Sequence, residues 1–185
     1  MTRIDNSVLK LDRDELIARM MCTDIDTVLS LSAECEDEIR TVAECSYTIK
    51  KSLVAINGDV VTLDFGNIKS MGLAKVLKGC SSAYVVAVTL GHGVDRLLRQ
   101  KSVTSTSQQF FADAVASTLC ESLCDYVQGI LPHKTTRRFS PGYGDLSLVV
   151  QYPLLRFLNG CDIRLTESGL MVPSKSVTFI AGVKE

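Results

Sequence analysis

Between Thr135 and Asp145 the chain reads Thr-Thr-Arg-Arg-Phe-Ser-Pro-Gly-Tyr-Gly-Asp, its densest run of side chains with chemical capacity. Pro141 pushes Ser140 into an extended conformation, and Pro141-Gly142 suits the two central positions of a type II turn. Such a turn aims peptide groups at a ligand. Arg138 adds a planar fork matched to a carboxylate or phosphate, and Tyr143 adds an aromatic face for stacking or for a cation. The plainer reading of the same residues is a structural turn carrying a surface arginine. Asp113 is the second candidate. It leads a row of small residues, Ser117, Cys120 and Cys124, along one stripe of a helix, and a lone carboxylate is costly to bury unless something charged or hydrogen-bonding meets it. Asp113 therefore either faces a ligand or sits in the first turn of the helix, where the dipole favours negative charge.

These residues need elements to hold them. Ser105 or Thr106, with Gln108 or Gln109 three residues on, forms a capping box for a long helix from about Ser107 to Gly129. Its other stripe is Phe111, Val115, Leu119, Leu123 and Tyr126. Asp24 to Cys45 has a helical apolar rhythm with an acidic outer face that reads as solvated. Leu53 to Ile56 and Val60 to Phe65 flank Asn57-Gly58, a hairpin turn. Ile68 to Leu77 reads as a short helix stopped by Gly79. Tyr84 to Leu90 is apolar on both sides, as a buried strand would be. Gly91-His92-Gly93 then leads into a helix, but Arg96 occupies the place of the third glycine of a dinucleotide loop, so nucleotide binding is not expected there. A helix from Pro153 to Leu158 ends at Asn159-Gly160, and strands over Ile163 to Thr166 and Ser176 to Ala181 surround a Gly169/Pro173 loop. Helices among hairpin-like strands, without a βαβ rhythm, predict an α+β fold: a largely antiparallel twisted sheet with packed helices.

Composition narrows the function. The 185 residues suit a single domain, 1–185, in which a helical portion (1–45) leads into an α+β core (46–185) that carries the Arg138 loop. Hydrophobic residues make up 46% and charged ones 22%, which excludes a disordered tail. A net charge of −1 supplies no field to hold nucleic acid. No apolar stretch approaches a membrane span or an export signal, so a cytoplasmic address is expected, with no membrane partner. Cys22, Cys35, Cys45, Cys80, Cys120, Cys124 and Cys161 form no Cys-x-x-Cys pair and read as reduced thiols. His92 and His133 lie at no ligand spacing from them, so no metal site is expected.

Arg138-Phe139-Ser140-Pro141-Gly142-Tyr143, preceded by Phe111-Ala112-Asp113-Ala114-Val115 and followed by Leu165-Thr166-Glu167-Ser168-Gly169-Leu170-Met171-Val172-Pro173, resembles the activation domain of cobalamin-dependent methionine synthase. The likeness is specific over about the C-terminal 80 residues and only topological over the first hundred. It implies a binder of S-adenosylmethionine that reactivates a corrinoid methyltransferase by reductive methylation. The cobalamin would be held by the partner, a methionine synthase or other corrinoid protein met in trans, with an electron donor such as a flavodoxin. Arg138 would pair with the methionyl carboxylate, Ser140, Pro141 and Gly142 would supply backbone contacts, and Tyr143 would lie against the nucleoside or methionyl part. Asp113 stands where the family has a Glu and would meet a polar group of the ligand. No catalytic side chain is implied, because the methyl group is already activated; the chain would be a component of a methyltransferase system rather than a whole enzyme. The alternatives are a docking or scaffold module of the same fold that has lost the ligand, and a thiol enzyme using Cys120 or Cys124.

Overall fold

The computed structural model describes residues 1–20 and 25–184; Cys22 and the expected helix start at Asp24 lie outside them. In chain order the elements are β1 (Thr2–Arg3), α1 (Arg13–Met20), α2 (Ile25–Val42), β2 (Ser46–Leu53), β3 (Ala55–Asn57), β4 (Val60–Leu63), β5 (Gly66–Lys69), α3 (Met71–Val76), β6 (Ser82–Thr89), α4 (His92–Thr104), α5 (Thr106–Gly129), α6 (Gln151–Leu158), β7 (Arg164–Leu165), β8 (Met171–Val172) and β9 (Ser176–Gly182). The main sheet runs β1-β2-β6-β9, every pair antiparallel. β3, β4 and β5 form a second sheet, and β7 pairs with β8. This is the expected α+β architecture.

β6 explains the layering. All eight of its residues are buried, and because successive side chains point to opposite faces, the strand serves two cores. Tyr84, Val86 and Val88 join Phe179 and the inner faces of α2, α4 and α5. Ala83, Val85 and Ala87 join Ile180, Val61, Leu73 and Leu154 on the other side. A strand covered on both faces has to be apolar throughout, which is the pattern Tyr84 to Leu90 carries.

Local signals set several boundaries. Ser105 is the cap of α5, its Oγ accepting from the Gln108 amide at 3.4 Å. Asn57-Gly58 turns β3 into β4, with Gly58 at φ +64°. Two expectations shift. Ile68 belongs to β5, paired with Val61, and the helix begins only at Met71, because Ser70 Oγ accepts from the Leu73 amide and caps it there. The segment before residue 46, read as helical, also supplies β1, where Thr2 and Arg3 pair with Tyr47 and Ser46. Among the described residues no helix is long and apolar enough to cross a membrane.

Candidate ligand site

After α5 the chain doubles back along the open edge of β9. Thr135 bridges to Val183 and Phe139 to Ile180. Phe139 donates to the Ile180 carbonyl at 3.0 Å and accepts from its amide at 2.9 Å. This covering strand delivers the chain to the Pro-Gly turn, where the Tyr143 amide donates to the Ser140 carbonyl at 3.0 Å. Gly142 sits at φ +90°, as position three of a type II turn requires and a side chain would resist. Downstream, Asp145 locks the turn to the start of α3. Its carboxylate accepts from Ser70 Oγ at 2.6 Å, the Met71 amide at 2.6 Å and the Gly72 amide at 3.1 Å. The Ser70 hydroxyl, opposed by burial and aided by the Gly72 and Met71 amides, holds its pKa below the usual value. Gly72 makes the approach feasible: a Cβ there would lie 2.7 Å from Phe139 Cζ and 2.8 Å from Asp145 Oδ1.

Beside the turn lies a cavity of about 580 Å³, within the range of small-molecule sites. Arg137, Arg138, Ser140, Pro141 and Tyr143 line it from the loop. Glu121 and Asp125 on α5, Gln151 on α6 and Thr178 on β9 face them. Four of the six predicted site residues therefore converge on one space, and Gly142 shapes the turn between them.

Asp113 does not join them. It is exposed, paired through Oδ1 with Lys175 Nζ at 2.8 Å, and the same ammonium donates to Ser117 Oγ at 2.9 Å. Eight residues at 1.5 Å rise place it about 12 Å up the α5 axis from Glu121. The carboxylates at the cavity are Glu121 and Asp125, which the sequence reading missed. A signal for them existed: Asp113, Ser117, Glu121 and Asp125 recur every fourth residue, and Gln128 follows three later. That line is a polar seam facing β9 and the returning loop, since Gln128 Nε2 donates to Thr135 Oγ1 at 2.8 Å and to the Thr136 carbonyl at 2.9 Å.

The guanidinium of Arg138 is already engaged. Nη2 meets Glu121 Oε2 at 3.1 Å, Nη1 donates to Asp125 Oδ1, and the guanidinium carbon lies 5.7 Å from the Phe179 ring centroid. Burial would lower its pKa, but the hydrogen bond to Asp125, with Cys124 and Glu121 nearby, more than offsets this and holds the cation charged. An incoming anion must therefore share or displace a carboxylate. Arg137 is exposed, lies 6.0 Å from the Phe139 ring centroid, and forms none of the ion pairs among the described residues. Tyr143 is 70% exposed, its ring open at the cavity mouth. Two acids and two guanidiniums make a charge-balanced wall suited to a zwitterion rather than to a simple ion.

Thiol chemistry has no footing here. Burial pushes the Cys120 thiol up to about 12 and the Cys124 thiol well above its usual value, so neither is a nucleophile at neutral pH. Among the described residues no group of three or more His, Cys, Asp or Glu could hold a metal.

No family model matches the sequence, and no curated protein matches it. Chains of solved structures do match, among them the crystal structure of the MetH reactivation domain bound to AdoHcy. That chain is 12% identical, with a TM-score of 0.73, and the alignment covers 98% of this chain and 77% of that one. The likeness shows the fold: a mixed helix and antiparallel-sheet domain of the reactivation-domain type.

Proposed function

We propose that this chain binds S-adenosylmethionine in the cavity beside the Ser140–Tyr143 turn and supports, in trans and in the cytoplasm, the reactivation of a cobalamin-dependent methionine synthase or related corrinoid methyltransferase. The observation that carries the reading is the charge-balanced cavity, built by the turn that resembles the family's motif, in a fold shared with a reactivation domain bound to AdoHcy. The donor set suits the ligand. Arg137 and Arg138 offer guanidiniums to its carboxylate once Arg138 leaves Asp125, Glu121 offers a carboxylate to its ammonium, and the Tyr143 ring offers its face to the sulfonium or the base. When bound, S-adenosylmethionine supplies an activated methyl group; this chain's residues bind it, orient it and exclude water. Tyr143 and Leu148 line the cavity and are exposed, an apolar edge on which a corrinoid protein would seat. An electron donor of the flavodoxin kind completes the system.

Calorimetric titration tests this directly. S-adenosylmethionine and S-adenosylhomocysteine should each bind saturably, and tenfold excess over the Kd should stabilise the fold by ~1.4 kcal/mol. Arg138→Ala should abolish binding. One observation favours a second reading: Arg138 is held by two acids of its own chain, as in a docking module that has lost its ligand. That module would show no thermal shift with either compound while still co-purifying with a corrinoid protein.

A further inference from the structure

Thr178 is 2% exposed, and it pairs across the sheet with Ala87. It lines the ligand cavity, and its Oγ1 is buried without a hydrogen-bond partner. Its neighbour two residues back behaves differently: the Ser176 hydroxyl lies 2.8 Å from Thr89 Oγ1 and 2.7 Å from the Pro173 carbonyl. The other unpartnered buried hydroxyls among the described residues are Ser46 Oγ and Thr48 Oγ1. Ser46 borders a space of about 40 Å³, enough for a water or two, and Thr48 is not among the residues lining the ligand cavity. Of the three residues, Thr178 is the one that lines a volume admitting an organic molecule, and because Oγ1 is itself buried, a ligand there would meet it on rotation of the side chain about χ1.

A valine in the same place would fill the same shape and leave no polar atom unpaired, so the hydroxyl is a liability in the free protein that a bound partner would relieve. Its position defines the partner's chemistry. The charged groups, Glu121, Asp125, Arg137 and Arg138, come from α5 and the loop, whereas Thr178 stands with the carboxamide of Gln151 on neutral wall. We propose that Thr178 Oγ1 is a binding contact for an uncharged hydrogen-bonding group of the ligand, such as a ring nitrogen, an amine of a base or a sugar hydroxyl. The contact rests on the nucleoside-containing ligand argued above and adds a specificity residue on β9.

The test is titration of S-adenosylhomocysteine into the full chain and into Thr178→Val and Thr178→Ser, at low and high salt. Thr178→Val should lose about tenfold in affinity at either salt level, because a neutral contact is not screened. Its melting temperature without ligand should equal or exceed that of the unaltered chain, and Thr178→Ser should bind within a few-fold of it. If Thr178→Val binds as tightly as the unaltered chain, the hydroxyl meets only water and the proposal is overturned. A loss shared equally by Thr178→Ser, or one that vanishes at high salt, overturns it too. Should Thr178→Val not fold, Thr178→Ala gives the same comparison. Failure of the unaltered chain to bind S-adenosylhomocysteine is a separate result: it removes the ligand reading itself, and this contact with it.

Discussion

Asp125→Asn separates a carboxylate that competes for Arg138 from one that holds the fold. The side chains of Asp125, Glu121 and Arg138 are 71%, 35% and 23% exposed. The Asp125 arm of the pair is thus mostly in water, and exposed pairs of this kind contribute about 0–1 kcal/mol. Removing its charge should lower the melting temperature by no more than ~4 °C for a chain of this size. For a ligand carboxylate the same charge is an obstacle, because Arg138 must leave Asp125 to form a bidentate pair. Releasing it should raise affinity for S-adenosylmethionine by up to ~5-fold, the equivalent of about 1 kcal/mol. Arg138→Ala is the contrasting perturbation. It strands Glu121 half-buried, strips the packing over Phe179 and should cost about 2 kcal/mol, or ~4–8 °C, while eliminating binding. Calorimetric titration and differential scanning calorimetry on the two variants read both effects. Weaker binding by Asp125→Asn would refute the reasoning, since Asp125 would then touch the ligand rather than compete with it.

Three further perturbations follow. Gly142→Ala forces a side chain into φ +90° with only Leu148 Cδ1 at 3.5 Å beside it, so a purely backbone cost of about 1–2 kcal/mol is expected, measured by denaturant midpoint. Asp145, with a pKa depressed below 3.8, contributes stability that is present above that value and lost as pH falls through the lower, folded one. Amide exchange at Met71 and Gly72 should therefore speed up on acidification, and at neutral pH in Asp145→Asn; unchanged exchange in the variant would show that the loop is held by other means. Cys45, pushed up to about 11 by burial, and Cys120 and Cys124 should resist iodoacetamide at neutral pH in the native chain and react once it is unfolded, as peptide mass mapping would report. Fast labelling of Cys120 would reopen the thiol-enzyme reading.

What could be read from the sequence was what is locally encoded. The Ser105 cap, the Asn57-Gly58 hairpin and the Pro141-Gly142 turn each rest on residues within four positions of one another. β1 is two residues long and exists only because the distant β2 pairs with it, and β8, just as short, is defined by its pairing with β7, so no periodicity could announce either. Ile68 was misplaced for a related reason: its apolar side chain fits a helix face and a strand face equally, and pairing with Val61 decides between them.

The place of Asp113, away from the cavity and paired with Lys175, has the same origin and bears most on function. Spacing along α5 identifies a polar stripe, but Asp113, Glu121 and Asp125 all lie on it, and nothing local says which of them meets the Arg138 loop. That height is set by where the returning strand bridges β9, at Val183 and Ile180, some forty residues downstream of the loop. Because Thr135 and Phe139 anchor the strand opposite the later turns of α5, Arg138 falls between Glu121 and Asp125, and Lys175 is left to neutralise Asp113. The seam thus divides into a sealed end, where acid and ammonium cancel, and an open end, where a guanidinium, two acids and an unpaired hydroxyl border a cavity. Only the open end has room and unspent hydrogen-bonding capacity for a ligand, and both follow from the register of the loop against β9.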